Sequence, residues 1–303
     1  MSLLVVGSIG IDTVETPRTR KENLLGGSAV YFSYAAAFYT QVRLVGVVGK
    51  DFPSVHRALL EARDIDLSGL EVADGETFRW VGRYRENMID RDTLEVDLNV
   101  FGNFDPKVPA EYKSSEFLFL ANGAPVVQRK VLDQLPKRPK FVAMDTMDLW
   151  IETARGDLTA LLRQVDALVI NDSEARLLTG QQELLRAGLS ILDLGVPTAI
   201  VKKGEHGALV VSRHGHFAVP GFPLEEVIDP TGAGDSFAGG ICGYIASTGD
   251  TSPENLRRAV AHGAVVASYT VQDFSLEALK RITRSDLDAR YEMLLDLVRI
   301  PKS

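Results

Sequence analysis

The run Asp229-Pro230-Thr231-Gly232-Ala233-Gly234-Asp235 holds the residue types whose spacing can do chemistry in this chain of 303 residues. Pro230 cannot lie inside a helix, whereas Phe237, Ile241, Tyr244 and Ile245 recur at helical spacing, so a helix is predicted to begin near Gly232. Its first turn then carries two glycines. Their backbone amides can approach an anion closely, and unsatisfied amides combined with the helix dipole suit a phosphoryl group. A carboxylate in the same turn repels a resting anion but can accept the proton of an attacking hydroxyl. Asp235 is therefore the candidate base, and Gly232, Ala233 and Gly234 the candidate anion hole that offsets charge on the transferred oxygens. The competing reading is an N-terminal aspartate that complements the dipole, beside glycines kept for close packing.

These residues need a scaffold, and the apolar pattern supplies one. Leu3–Val6, Val42–Val48, Phe117–Leu120, Phe141–Met144, Ala167–Ile170 and Ala199–Val201 read as short buried strands. Helical spacing falls between them at Ala29–Tyr39, Val55–Ala62 and Ile151–Leu162. The alternation predicts an α/β fold with a doubly wound, mostly parallel sheet flanked by helices, whose ligand sits at the carboxyl ends of the strands. Thr77–Val100 breaks the rule: Leu94, Val96, Leu98 and Val100 alternate with polar residues, as in a pair of half-buried antiparallel strands. Such a flap would act as a lid over the cleft, and a plain edge extension or a dimer surface fits the pattern equally.

Other constellations are weaker. Asn171 and Glu174 follow an apolar strand and, taken alone, read as a helix cap. Arg79, Arg83 and Arg85 share a strand face and read as a solvated face before they read as a phosphate grip. His214 and His216 flank a hairpin turn and lack the further ligands zinc would need. Cys242 falls at a packing position of the helix after the anion hole. Neither a P-loop nor a dinucleotide fingerprint occurs.

Asp-x-Thr-Gly-Ala-Gly-Asp resembles the C-terminal signature of the ribokinase (PfkB-type) family of carbohydrate and nucleoside kinases, and the resemblance extends over nearly the whole chain. Asp12 resembles the family's ligand for substrate hydroxyls, and Gly26-Gly27 the double glycine that closes over the sugar. Gly46-Val47-Val48-Gly49-Lys50-Asp51 is similar to its following glycine turn. Asn171-Asp172-Ser173-Glu174 resembles its Asn-x-x-Glu motif, and Lys203-Gly204-Glu205-His206-Gly207 its turn beside the nucleotide. Tyr31 stands where the family has a sugar-binding asparagine, Lys202 where Ser or Thr is frequent near the phosphates, and His262 where a small or amide residue lines the adenine.

The resemblance implies a ribokinase-like domain over residues 1–303, with a small β-sheet lid formed by about 12–25 and 77–101. It implies ATP as donor and Asp235 as base. Asp12, Gly26, Gly27 and Tyr31 would line the acceptor, and Lys202, Gly204, Gly207, Thr231 and His262 the nucleotide. Magnesium would lie near Asn171 and Glu174, partly through water, and a potassium ion beside Asp229, for which a mere Asx-turn is the alternative.

Composition sets the outer bounds. A formal net charge of −8 and the lack of a long basic run argue against nucleic acid. No apolar stretch is long enough to span a membrane, and the start shows no basic leader, so a cytoplasmic protein is expected. One cysteine excludes an intrachain disulfide. The leading expectation is an ATP-dependent kinase acting on the primary hydroxyl of a small sugar. A nucleoside kinase acting on the ribosyl 5′-hydroxyl is the alternative within the family. A non-catalytic sugar or nucleotide sensor is the rival of another class, a nicotinamide-dependent dehydrogenase has little support, and a homodimer through the lid is an open expectation.

Overall fold

Leu3 and Val5 pack into one hydrophobic core and Leu4 and Val6 into another, because successive side chains of a strand point to opposite faces of its sheet. That alternation organises the molecule. The computed structural model, which describes residues 1–300, places thirteen strands in two sheets. They are β1 (Ser2–Val6), β2 (Gly10–Glu15), β3 (Arg20–Gly26), β4 (Gln41–Gly49), β5 (Ile65–Ala73), β6 (Phe78–Tyr84) and β7 (Arg91–Asp97), followed by β8 (Phe117–Leu120), β9 (Phe141–Asp145), β10 (Ala167–Asn171), β11 (Thr198–Lys202), β12 (Ala208–Ser212) and β13 (Gly215–Val219).

The large sheet has nine strands in the order β13-β12-β11-β10-β9-β8-β1-β4-β5. It is parallel from β11 to β5 and antiparallel only at the β11-β12-β13 edge, so the doubly wound expectation holds. The helices Ser28–Ala36, Ala233–Thr248 and Pro253–Thr270 cover one face. Arg155–Leu162, Asp172–Thr179 and Leu184–Asp193 cover the other. On the first face Phe32 stacks on Phe119 of β8, with ring centroids 4.1 Å apart and planes within 7°. Ala233–Thr248 and Pro253–Thr270 lie close enough that a side chain at Gly240 would meet the Gly263 backbone.

The smaller sheet has the order β3-β2-β6-β7, with β2 and β6 parallel and the other pairs antiparallel. Its base is tied to the loop after β4: Asp51 accepts hydrogen bonds of 2.7 Å from the Thr77 amide, the Thr77 hydroxyl and Arg79.

Several elements differ from the sequence reading. Ile151–Leu162 is not one helix but the end of Asp148–Thr153 and all of Arg155–Leu162, broken at Ala154 (φ −132°, ψ 30°). Arg155 turns there to donate to the carbonyl of Leu178, a tertiary contact that helical spacing does not register. The first helix stops at Ala36 and continues only as turns to Tyr39. In the flap, β7 is not half-buried: Leu94, Val96 and Leu98 are all more than two-fifths exposed. Val100 has left the strand for a 3₁₀ turn over Asn99–Asn103, where the Asn99 side-chain Nδ2 donates to the Thr77 carbonyl. β5 escaped notice because Asp66, Ser68 and Gly69 interrupt its apolar residues at the edge of the sheet.

Candidate active site

The helix Ala233–Thr248 begins where the residue chemistry placed it, with Gly232 as its N-cap in the left-handed region (φ 75°, ψ 0°). Any side chain at 232 would be strained there and would also run into the Tyr31 ring, which lies directly against it. The Ala233 amide donates to the Pro230 carbonyl (3.1 Å) and the Ser236 amide to that of Gly232 (2.8 Å). The amides of Gly232, Gly234 and Asp235 have no acceptor among the described residues, which leaves three donors for an anion. Upstream, Asp229 is fully buried: one carboxylate oxygen accepts from the Thr231 amide (2.9 Å), and the other has no partner.

Facing this turn is the carboxyl edge of the large sheet. Asp145 ends β9, Asn171 ends β10 and Lys202 ends β11, on adjacent strands with Asn171 in register with Lys202. The Lys202 ammonium lies 2.8 Å from where a Gly234 side chain would start, so it sits over the helix N-terminus. Asp145 lies close enough to Asp235 for each carboxyl to feel the other. Desolvation in the cleft, with Glu174 nearby, pushes the Asp235 carboxyl up to about 6 against the opposing charges of Lys202 and Arg91. Burial, and then the charge of Asp235, holds Asp145 well above the carboxylate range. A protonated Asp145 can thus donate to Asp235, which remains the proton acceptor of the pair.

Asn171 and Glu174 form a complete capping box. The Asn171 side-chain oxygen accepts from the Glu174 amide (2.8 Å), and the Glu174 carboxylate accepts from the Asn171 amide (2.9 Å). The cap and a role at the cleft coexist, because one Glu174 oxygen stays without a partner among the described residues and burial raises its carboxyl. No group of three or more His, Cys, Asp and Glu side chains among the described residues could cage a metal ion. The unpartnered Glu174 oxygen beside the anion hole nevertheless fits magnesium, which leans on phosphate and water more than on protein ligands. Gly204 and Gly207 (φ 56° and 78°) form the exposed turn after Lys202 on the same edge.

Asp12 of β2 closes the other end of the cleft. A side chain at Gly26 would occupy the space taken by the Asp12 carboxylate, so the glycine is required for the close approach. Burial, with Asp229 and Asp235 nearby, pushes Asp12 up to about 8, and one of its oxygens is buried without a partner. Gly27 (φ 101°) starts the next helix, whose Ser28 amide donates to the Ser8 hydroxyl (3.0 Å). Tyr31 is 1% exposed, with its ring under Gly232 and its hydroxyl unpartnered. A ring so enclosed has no free face for a nucleobase. His262 is stacked between Tyr244 and Tyr291 (both 4.1 Å), and burial lowers it to about 4. Its ring contacts and its hydrogen bond among the described residues go to Tyr39, Tyr244 and Tyr291.

Arg79, Arg83 and Arg85 are ion-paired to Asp51, Glu15 and Asp92 on the solvent side. His214 and His216 are exposed in the β12–β13 hairpin, and Cys242 is buried with its thiol pushed up by desolvation. Sequence reasoning missed Asp145, Tyr84 and Arg91. Asp145 carried a readable signal, as a carboxylate at the carboxyl end of a buried parallel strand. Arg91 did not, because only the hairpin register brings it beside Tyr84.

The family model for pfkB family carbohydrate kinases matches residues 7–279, and the chain belongs to that family. It is 30% identical to a cytidine kinase of Thermococcus kodakarensis over 254 residues, 80% of this chain and 88% of that protein. The fold is also that of a Burkholderia thailandensis nucleoside kinase solved in complex with inosine (TM-score 0.80, 21% identity, 97% of this chain and 98% of that chain). An E. coli ribokinase II solved in complex with ATP and Mg²⁺ is similar too (TM-score 0.76, 20% identity, 96% of this chain and 99% of that chain). The ribokinase-like fold and the kinase class expected from the residues are borne out. No helix among the described residues is long and apolar enough to cross a membrane.

Proposed function

We propose that the chain transfers the γ-phosphoryl group of ATP to the ribosyl 5′-hydroxyl of a nucleoside. The carrying observation is Asp235 in the first turn of a helix whose free amides and Lys202 face the same point. The acceptor oxygen bonds to the γ-phosphorus while the bond from phosphorus to the bridging oxygen breaks. That electron pair leaves on ADP, and the acceptor proton passes to the Asp235 carboxylate. The amides of Gly232, Gly234 and Asp235, with Lys202, offset the charge on the equatorial oxygens. Asn171 and Glu174 would hold magnesium, partly through water, and the ion would supply charge neutralisation to the phosphates.

Asp12, cradled by Gly26 and Gly27, holds acceptor hydroxyls, and its partnerless oxygen is the acceptor available for one. The smaller sheet acts as the lid that keeps water from the phosphoryl group. The likeness to a cytidine kinase over four-fifths of the chain supports a nucleoside over a free sugar. The unpartnered Asp229 oxygen is where a potassium ion would be held.

The test is ADP release with magnesium-ATP against nucleosides, pentoses, hexoses and sugar phosphates, in potassium and in sodium. Turnover that depends on a nucleoside and vanishes in Asp235→Asn is expected. Turnover confined to free sugars would overturn the acceptor, and no acceptor-dependent release at all would overturn the kinase reading.

A further inference from the structure

Among the arginines of the smaller sheet, Arg20, Arg79 and Arg83 each have an ion-pair partner, whereas Arg91 has none among the described residues. Its position explains why. Arg91 opens β7 directly opposite Tyr84, the last residue of β6, and side chains opposite one another in an antiparallel pair lie on the same face. Tyr84 is buried, with its hydroxyl 3.2 Å from the Thr231 hydroxyl, one residue before the anion-hole N-cap. The Arg91 guanidinium carbon lies 5.4 Å from the centre of the Trp80 ring, on the strand pair it shares with Tyr84. The guanidinium is therefore held on the cleft side of the sheet, above the anion-hole turn. Its charge reaches Asp12, Asp235 and Glu174, the three carboxyls spread along the cleft.

The donors on the large sheet and its helix all lie on one side of the anion-hole turn. A γ-phosphoryl group held by the helix amides and Lys202 would still present an oxygen toward the smaller sheet, for which neither supplies a donor. Resting on the kinase reading above, we propose that Arg91 is a further catalytic residue, which the smaller sheet lowers onto the phosphoryl group in transit, and that Tyr84 positions it through Thr231. The guanidinium would donate to the equatorial oxygen opposite Lys202 while the new oxygen–phosphorus bond forms and the bond to ADP breaks. It takes no proton and ends as it began. An arginine suits this place better than a lysine, because its planar fork can bond Tyr84 and a phosphoryl oxygen at once. The arrangement also makes the cation depend on the fold of the flap, so phosphoryl transfer is favoured only when the acceptor site is covered.

The experiment compares the full wild-type chain with Arg91→Gln, Arg91→Ala and Tyr84→Phe, using magnesium-ATP and the nucleoside that the wild type turns over fastest. For Arg91→Gln the expected result is a fall in kcat of about 100-fold or more, as for loss of a transition-state donor, with KM for ATP and nucleoside within about threefold. Guanidinium salt at millimolar concentration should partly restore kcat in Arg91→Ala. Tyr84→Phe should lose kcat about three- to tenfold without rescue, as expected when a guide to the cation is removed. Arg91 lies on an exposed strand, so folding of its variants can be confirmed by unchanged thermal unfolding. A kcat within about threefold of wild type, a loss confined to KM for the nucleoside, or no rescue by guanidinium would each overturn the proposal. A wild type without acceptor-dependent ADP release would instead overturn the kinase reading, and this proposal with it.

Discussion

Asp145 and Asp235 lie within reach of each other's charge at the floor of the cleft, one at the end of a central strand and the other in the first turn of the helix behind the anion hole. Two carboxyls so placed cannot both ionise cheaply, so their environments separate their roles. Burial and the charge of Asp235 push Asp145 well above the carboxylate range, while Asp235 is raised to about 6. The base is thus ionised at neutral pH and still basic enough to receive a proton late in transfer.

The pH profile checks this relationship. As pH falls through about 6, Asp235 protonates and kcat/KM should fall with an acid limb near that value. Asp145 favours the ionised form of Asp235 by donating to it, so Asp145→Ala should move the limb to higher pH. Asp145→Asn, which keeps an N–H donor, should leave the limb nearer its place. A limb that stays fixed in Asp145→Ala would show that the two carboxyls do not interact in solution.

Lys202 is expected to serve both phosphate and base. Lys202→Met should raise KM for ATP about tenfold or more by removing a buried-side cation from the phosphates. It should also move the acid limb upward, because the ammonium favours ionised Asp235. Steady-state kinetics from pH 5 to 8 read both effects.

Asp12 predicts a conflict between stability and activity. Its pKa of about 8 in the folded chain exceeds its unfolded value of 3.8, so the native state binds the proton more tightly and stability falls as pH rises between those values. Asp12→Asn removes the titrating group. Its melting temperature should exceed wild type most at pH 8, and the gain should shrink toward pH 5. Acceptor-dependent turnover should drop about 100-fold, since the hydroxyl ligand is lost. Calorimetry and the ADP assay on the same samples measure the two sides.

Gly232 and Tyr31 should behave as one unit. Gly232→Ala places a side chain at φ 75° against the Tyr31 ring and should cost about 2 kcal/mol or more in stability, together with most of the activity. Adding Tyr31→Leu should recover part of the stability but not the backbone strain. Urea unfolding of the four chains gives the coupling directly, and strictly additive losses would contradict the contact.

Much of this was legible in the chain. Pro230, the two glycines and the helical spacing from Phe237 onward locate the helix start to within a residue, because backbone rules act locally. The buried strands of the large sheet showed as uninterrupted apolar runs, since both their faces are covered. What stayed hidden depends on register and tertiary approach. Arg91 looked like one charge among many until pairing with Tyr84 turned it to the cleft, and Arg79, Arg83 and Arg85 gave a tidier pattern with no access to it. Tyr31 was expected to face the acceptor. Its ring instead fills the space behind Gly232, because a helix entering from Gly27 buries its first turn.

The parallel pairing of β2 with β6 also bears on how the molecule folds. These neighbours come from two separate excursions out of the large sheet, one between β1 and β4 and the other between β5 and β8, so neither can find the other until those strands are in place. Loop closure over such a separation is slow to repay its entropy. Trp80 lies in β6 and Trp150 in a helix beside the large sheet, so the chain carries one fluorophore in each region. On refolding, the Trp150 signal should settle first and the Trp80 signal last, making the smaller sheet the final part of the molecule to acquire its native order.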